Sequence, residues 1–214
     1  MEDLSNYRKS YEKSELLETN IPEDPMVLFK KWFHEVEDFG GVEEVNAMTV
    51  STIGLDGFPK ARVVLLKQFT YEGFIFYTNY DSEKGKAIAN NPNVCLSFFW
   101  HSLERQIIIK GKAIKIAENL SDGYFESRPD GSKLGAIVSN QSEVIPSRIV
   151  LEEKLKQLEV DCKGKEILRP KNWGGYLIEP QEIEFWQGRA NRLHDRIRYK
   201  LNADFSWKTE RLAP

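Results

Sequence analysis

The segment RVVLLKQFTYEGFIFYTNYDSEKGKA, residues 62–87, decides the architecture. Two runs of β-branched, aliphatic and aromatic residues, 61–69 and 74–78, are separated only by Tyr71-Glu72-Gly73. That connection is long enough for a hairpin and far too short for a crossover helix, so the strands are expected to be antiparallel. Immediately upstream, 46–53 reads as another strand and Gly57-Phe58-Pro59 as its turn, so three sequential strands predict a meander. Downstream, Asp81-Ser82-Glu83-Lys84-Gly85-Lys86 opens a short helix over 82–90. The turn Asn91-Pro92-Asn93 then leads into strands at 94–100 and 106–116. In the last of these, Lys110 and Lys112 share a parity with Ile114 and Ile116, which predicts a bulge or bend near Gly111.

Outward from this sheet, residues 1–24 read as a charged N-terminal arm ending in Ile21-Pro22-Glu23-Asp24-Pro25, and the domain proper as 25–214. Asp24 caps a helix with Pro25 at its first position, and Phe29, Trp32, Phe33 and Val36 give it one apolar face before Gly40-Gly41 stops it. Toward the C-terminus a helix at 121–127, the turn Arg128-Pro129-Asp130-Gly131 and a second short helix from Ser132 are expected. A longer helix from Ser147 carries the stripe Leu151, Leu155 and Leu158 and reads as a packing helix. Strands return at 175–178, 183–186, 193–201 and around Trp207. At least seven short strands with interspersed helices describe a mainly β single domain, a small barrel or sandwich decorated by helices.

Composition removes whole classes of function. With 214 residues and 41% hydrophobic side chains the chain can bury a sizeable core. Its 33 acidic and 30 basic residues leave a formal charge of −3, so no global positive field exists to hold nucleic acid. Apolar runs fall far short of the roughly 20 residues that span a bilayer, and residues 1–18 carry no apolar signal region, so a cytoplasmic, membrane-free protein is expected. Cys95 and Cys162 lack CxxC spacing, and His34, His101 and His194 match no ligand spacing, so neither a disulfide nor a metal is expected. GxGxxG after a strand, GxxxxGK[ST], HExxH and GxSxG are all absent from the sequence.

Three basic features remain. Arg62 and Lys67 flank Val63-Val64-Leu65-Leu66, on opposite faces under strict alternation unless a bend intervenes. Lys84 and Lys86 stand at a helix start, where free amides and the dipole favour an anion, so a phosphate held by both elements would explain their charge. The plainer alternatives are solvated strand ends and ordinary capping by Asp81 or Ser82. Tyr124 and Arg128, at i and i+4, with Ser132 opening the next helix, describe a second oxyanion pocket; the alternative is a surface arginine beside a core tyrosine. Two anion sites imply two phosphorylated ligands. Finally, if residues 192–196 are extended, Arg192, His194 and Arg196 share one face and suit a polar aromatic ligand. A basic edge strand or a nucleic-acid patch is the rival, and the net charge weakens the latter.

The stretches RVVLLK (62–67), FYTN (76–79), FFWHSLERQ (98–106), YFESRP (124–129), SNQS (139–142), IEFWQG (183–188), RLHDR (192–196) and RLAP (211–214) resemble, in order, the pyridoxine/pyridoxamine 5′-phosphate oxidase family. The similarity runs from about Tyr7 to Pro214, and WQG followed closely by RLHDR is its most specific part. The resemblance implies an FMN-binding split β-barrel, six-stranded and of Greek-key type, in a homodimer with FMN at the interface. By position it implies FMN contacts from Arg62 and Lys67 with the intervening Val63, Val64, Leu65 and Leu66, and from Tyr77, Thr78, Ser82 and Lys84. Gln106, Gln141, Ser142, Trp186 and Arg196 complete that set.

Substrate contacts are implied for Lys67, Tyr124, Arg128, Ser132, Arg192 and His194, joined by Arg8 and Tyr11 from an arm that can fold over the site. The implied reaction moves a hydride from C4′ of pyridoxine or pyridoxamine 5′-phosphate to the flavin, giving pyridoxal 5′-phosphate. Oxygen then reoxidises the flavin to yield hydrogen peroxide, and the amine substrate releases ammonia. Arg192 is expected to pack over the pyridine ring and His194 to orient its substituents, the two being the catalytic candidates. One departure stands out: Glu83 occupies a position where the family commonly has arginine. The rival functions are another split-barrel flavoprotein, such as a flavin reductase or a non-catalytic flavin or haem binder, and an interaction surface for RNA or a protein.

Overall fold

The computed structural model describes residues 2–214. Helix α1 (Pro25–Phe39) starts as its sequence dictates: the Asp24 carboxylate accepts from Met26 N at 2.8 Å, Pro25 occupies the first turn, and Gly40, at φ 75°, ends it. Its apolar face is buried, with the Phe29 ring 4.9 Å from Phe74, 5.0 Å from Phe69 and 5.4 Å from Phe98. This one side chain joins the helix to three strands, edge to face, as aromatic quadrupoles prefer.

The strands are β1 (Ala47–Ile53), β2 (Pro59–Leu65), β3 (Gln68–Thr70), β4 (Gly73–Asn79), β5 (Asn93–Trp100), β6 (Arg105–Lys115), β7 (Trp173–Gln187), β8 (Asp195–Leu201) and β9 (Trp207–Arg211). They form one antiparallel sheet in the order β2-β1-β5-β6-β7-β4-β3, with β8 on β7 and β9 on β8. Six of them, β2-β1-β5-β6-β7-β4, curl until β2 and β4 approach each other without pairing. That gap is the split of a split barrel.

The expected meander is therefore wrong in one link. The apolar run 61–69 breaks at Leu66-Lys67, where Leu66 turns into the core and Lys67 N donates to Ile75 O at 2.8 Å. Consequently β2 pairs only with β1, while β3 pairs with β4. Continuous hydrophobicity hid this break, because a residue that changes partner keeps its apolar character. The bend at Gly111 is present as a register shift between Lys110 and Gly111. A Cβ at Gly111 would lie 2.4 Å from Glu179 O, so only glycine lets the two strands close there. Pro180 sits opposite, and 175–178 and 183–186 prove to be one long strand, β7, whose proline is absorbed at the irregularity.

Helix α2 (Glu83–Asn90) follows β4, and α3 (Glu118–Glu126), α4 (Asp130–Val138) and α5 (Arg148–Asp161) lie between β6 and β7. Ser132 is inside the first turn of α4 rather than opening it, and Arg128 lies beyond the end of α3. Helix α5 buries no residue, and its leucine stripe is only half covered. The expected strand 193–201 starts only at Asp195, since 190–192 form a 3-10 turn with Asn191 at φ 56° and Arg192 at φ 61°. Period-two alternation therefore does not put Arg192 on a face with His194 and Arg196. No helix among the described residues is long and apolar enough to cross a membrane, and among them no cluster of His, Cys, Asp or Glu could hold a metal ion.

Candidate functional site

A cavity of about 960 Å³ occupies the split between β2 and β4. Strand β2 lines it with Arg62, Val63, Val64 and Leu65, the following turn with Lys67, and β4 with Tyr77 and Thr78. Helix α2 adds Lys84, the α3–α4 corner adds Tyr124, Arg128 and Ser132, and the loop after α4 adds Gln141 and Ser142. The two anion sites read separately from the sequence thus share one chamber. Leu66 is absent from this lining because its side chain is core. Ser82 is fully buried below it as the cap of α2, with Oγ donating to Asn79 O at 2.6 Å and accepting from Gly85 N at 3.2 Å.

The electrostatics of the chamber are lopsided. Lys84 is 8% exposed, and its Nζ donates only to neutral oxygens, Gln141 Oε1 at 2.8 Å and Thr78 Oγ1 at 3.2 Å. Burial, and secondarily the neighbouring Arg62, push its pKa down to about 8. Arg62 donates to Thr52 Oγ1 at 2.7 Å and to Lys60 O at 2.8 Å, and burial lowers its pKa also. The Arg128 guanidinium lies 4.7 Å from the Trp173 ring centre, with Nη1 buried and without a hydrogen-bond partner. Glu83 is the acid of this lining, and it is held at the rim by Lys60 at 2.5 Å. Three buried or half-buried cations, Arg62, Lys84 and Arg128, with the exposed Lys67 beside them, therefore face a chamber whose acid is already paired. Buried charge without a counter-charge is costly, so an anionic ligand would relieve all three. Along one wall Tyr77 stacks on Tyr124 at 3.9 Å and 20°, and on Trp173 at 5.5 Å and 14°. A phosphate attached to a flat ring fits both features.

The other predicted residues meet elsewhere. Gln106 and Arg196 are the register partners of Trp186 on β6 and β8, so the three form a row across adjacent strands. Arg196 Nε donates to Glu184 Oε1 at 2.7 Å and Nη1 to Ala213 O at 2.9 Å. The His194 ring lies 4.6 Å from Trp186, and Tyr11 from the arm lies 5.8 Å from each. His194 Nδ1 accepts from Arg189 N at 3.1 Å, which fixes the proton of the neutral imidazole on Nε2. Burial first, and Arg192 second, lower its pKa, so the neutral ring is favoured. Arg192 is exposed beside this shelf, and Arg8 is exposed with Nε donating to Ser5 O at 2.9 Å, outside both regions.

Strand β7 measures the separation. Trp173 at its start lines the cavity, while Trp186 near its end belongs to the shelf, thirteen residues on, at most about 43 Å along a strand that bends on the way. The cavity and the shelf of one chain therefore lie at opposite ends of one strand.

Two family models match this chain, one over most of the cavity residues and one over most of the shelf. A model described as pyridoxamine 5′-phosphate oxidase matches residues 34–162, which contain the cavity motifs. One described as the pyridoxine 5′-phosphate oxidase C-terminal dimerisation region matches residues 173–214, which contain the shelf. This chain belongs to the pyridoxamine 5′-phosphate oxidase family. It is accordingly an oxidoreductase. A pyridoxine/pyridoxamine 5′-phosphate oxidase of Flavobacterium psychrophilum is 89% identical over 214 residues, covering all of both chains. One of Flavobacterium johnsoniae is 76% identical, again over the full length of both. Among solved structures, PhzG from Burkholderia lata 383 in complex with tetrahydrophenazine-1-carboxylic acid superposes with TM-score 0.86 at 29% identity, over 93% of this chain and 98% of that one. An FMN-binding protein from Nostoc punctiforme shares the fold, with TM-score 0.70 at 15% identity over 88% and 96%.

Family motifs pointed to most of the cavity, but not to Lys60 or Trp173. Lys60 stands two residues before Arg62, the start of RVVLLK, and on the same β2 face, a parity that could have found it. Trp173 carries no local signal, because 172–175 approaches the split only through the pairing of β7 with β4.

Proposed function

We propose that this chain oxidises pyridoxine 5′-phosphate and pyridoxamine 5′-phosphate to pyridoxal 5′-phosphate with bound FMN and dioxygen as final acceptor. Hydrogen peroxide is released, and ammonia with it from the amine. When bound, FMN would supply the redox chemistry, two-electron oxidation of the substrate at C4′ with dioxygen as final acceptor. The observation that carries this reading is the set Arg62, Lys84 and Arg128 around one chamber, without a buried carboxylate among their partners. Arg62 and Lys84, with Thr78, Gln141 and Ser142 beside them, would hold FMN, and Ser82 would serve from below as the buried cap that fixes the start of α2. Arg128, Tyr124, Ser132 and Lys67 would hold the substrate phosphate.

Trp186, with Gln106, Arg196, Arg192, His194 and Tyr11 around it, stands at the other end of β7 from the cavity, and none of the six lines that cavity in the same chain. They would close the cavity of a second copy, in a homodimer with FMN at the interface, and Arg8 would join from the arm. Arg192 would lie over the pyridine ring and stabilise developing charge. His194, with its proton on Nε2, would orient the ring by donating to an acceptor on it. The Tyr11–Trp186 pair would exclude water. Anaerobic mixing of the purified yellow protein with pyridoxine 5′-phosphate should bleach the flavin absorbance. A flavin that stays oxidised, or a colourless protein that takes up no FMN, would overturn the reading.

A further inference from the structure

Glu104 is a carboxylate in a place where the sheet gives no reason for one. It lies in the turn between β5 and β6, is 2% exposed, and adopts φ 57°, a left-handed conformation that a glutamate rarely takes. Its side chain faces the N-terminal arm: Oε2 accepts from Glu12 N at 2.9 Å and Lys13 N at 3.1 Å, and Oε1 meets Lys9 Nζ at 3.3 Å. Its main chain faces the shelf, where Glu104 O accepts from Gly188 N at 2.8 Å and Gln187 Nε2 at 3.3 Å. One residue therefore fastens the arm with its carboxylate and the end of β7 with its carbonyl. Tyr11 lies within the clamped stretch.

Two further contacts make the fit specific. A Cβ at Gly188 would lie 2.8 Å from both Cβ and Cγ of Tyr11, so the arm closes only over a glycine. Four residues beyond Glu12, Leu16 N donates to Asp195 Oδ2 at 3.0 Å, and Asp195 is itself held by Arg189 at 2.9 Å and Arg211 at 2.8 Å. Without the Glu104 clamp, the main chain just after Tyr11 would lose its two amide bonds, and the nearest remaining polar anchors would be the side-chain contacts of Lys13 with Ser102 O and of Glu15 with Arg189.

We infer that Glu104 is a positioning residue, which holds the arm so that Tyr11 forms a fixed wall of the substrate site beside Trp186 and His194. This inference rests on the functional reading above. Charge-assisted bonds from a buried carboxylate to two amides are short and directional, which suits a latch. Loosening the latch lowers the fraction of molecules with Tyr11 in place, and apparent substrate affinity falls by that same fraction.

The test compares wild-type holoenzyme with Glu104→Gln, Glu104→Ala and Gly188→Ala, by trypsin cleavage after Lys9 and Lys13 and by KM and kcat for pyridoxine 5′-phosphate. Each variant should be cut at least tenfold faster in the arm. KM should rise about tenfold, with kcat within twofold and FMN content unchanged. In a Tyr11→Ala background, Glu104→Gln should raise KM no further. Unchanged cleavage, or a KM increase that adds in full to that of Tyr11→Ala, would overturn the inference. If Glu104→Ala does not fold, Glu104→Gln carries the same measurements, and Lys9→Ala carries those of KM, kcat and cleavage after Lys13. A wild-type chain that turns over no substrate but loses arm protection on Glu104→Gln would overturn the functional reading and the substrate-site role, while leaving the latch standing.

Discussion

The cavity in the split and the shelf at the far end of β7 treat charge in opposite ways. In the cavity Lys84 and Arg128 have no acidic partner, and Arg62 is satisfied by neutral oxygens. On the shelf the main charges are already matched: Arg196 with Glu184, Glu104 with Lys9, and Asp195 with Arg189 and Arg211. For Asp195 burial works against ionisation, but the Leu16 amide and the two arginines outweigh it and hold the carboxyl below its usual range. The cavity is built to accept charge, and the shelf to hold rings and one neutral imidazole in place. A site needing both a phosphate grip and a flat aromatic clamp takes one region from each end of the strand.

The sharpest way to break this division is at Arg192, the exposed arginine of the shelf. Arg192→Met should lower kcat about a hundredfold while flavin content stays at the wild-type level, the scale of losing one preorganised charge at a reacting centre. Equal loss of flavin and turnover would make it a cofactor ligand and blur the two regions. Next comes Lys84→Met, which should weaken FMN binding by about thirtyfold, the equivalent of about 2 kcal/mol for one charge-assisted bond. Titration of apo-protein with FMN by flavin fluorescence reads this directly, and an unchanged Kd would remove Lys84 from the phosphate grip.

The same lysine makes a pH prediction whose sign can be worked out. Its pKa is near 8 in the fold and near 10.5 as an ordinary lysine, so between those values the unfolded chain binds the proton and the native apo-protein does not. Through that window the Lys84 contribution to apo-protein stability should rise with pH while FMN affinity falls, as the cation is lost. Thermal melts and FMN titrations at pH 7 and pH 9.5, with Lys84→Met as control, check both directions. Wild type and variant responding identically would sink the assignment.

Arg128→Ala should raise KM for phosphorylated substrate about tenfold with little change in kcat, by loss of one anion contact. A constant KM would place the substrate phosphate elsewhere. The smallest effect is expected from Glu83→Arg. This acid is half exposed and already paired with Lys60, so reversing its charge should tighten FMN by only about threefold, within the scale of exposed ion pairs. Weaker binding would mean that the Lys60–Glu83 pair itself is part of the grip.

Local grammar carried far in this chain. The Asp24-Pro25 start of α1, its aromatic face, the Gly111 bend and the basic flanks of RVVLLK could all be read directly, because caps, periodicity and glycine requirements act within a few residues. The family motifs added Gln141 and Ser142, which no local pattern marks. The break at Leu66-Lys67 escaped, since an apolar run reads alike whichever neighbour it pairs with. So did the turn at Asn191-Arg192, where two successive left-handed residues interrupt what looked like alternation. Glu104 and Asp195 also escaped as anchors of the arm, because their partners lie 92 and 179 residues away.

By itself, then, the order of residues determined a mainly β domain with cationic strand and helix ends suited to phosphate, since those properties follow from short-range pattern and charge. Only the tertiary structure decided that the two groups of site residues stand at opposite ends of β7, and that the arm is bolted down over the shelf. Distance between residues remote in sequence depends on how the whole sheet pairs and curls, which no local stretch encodes.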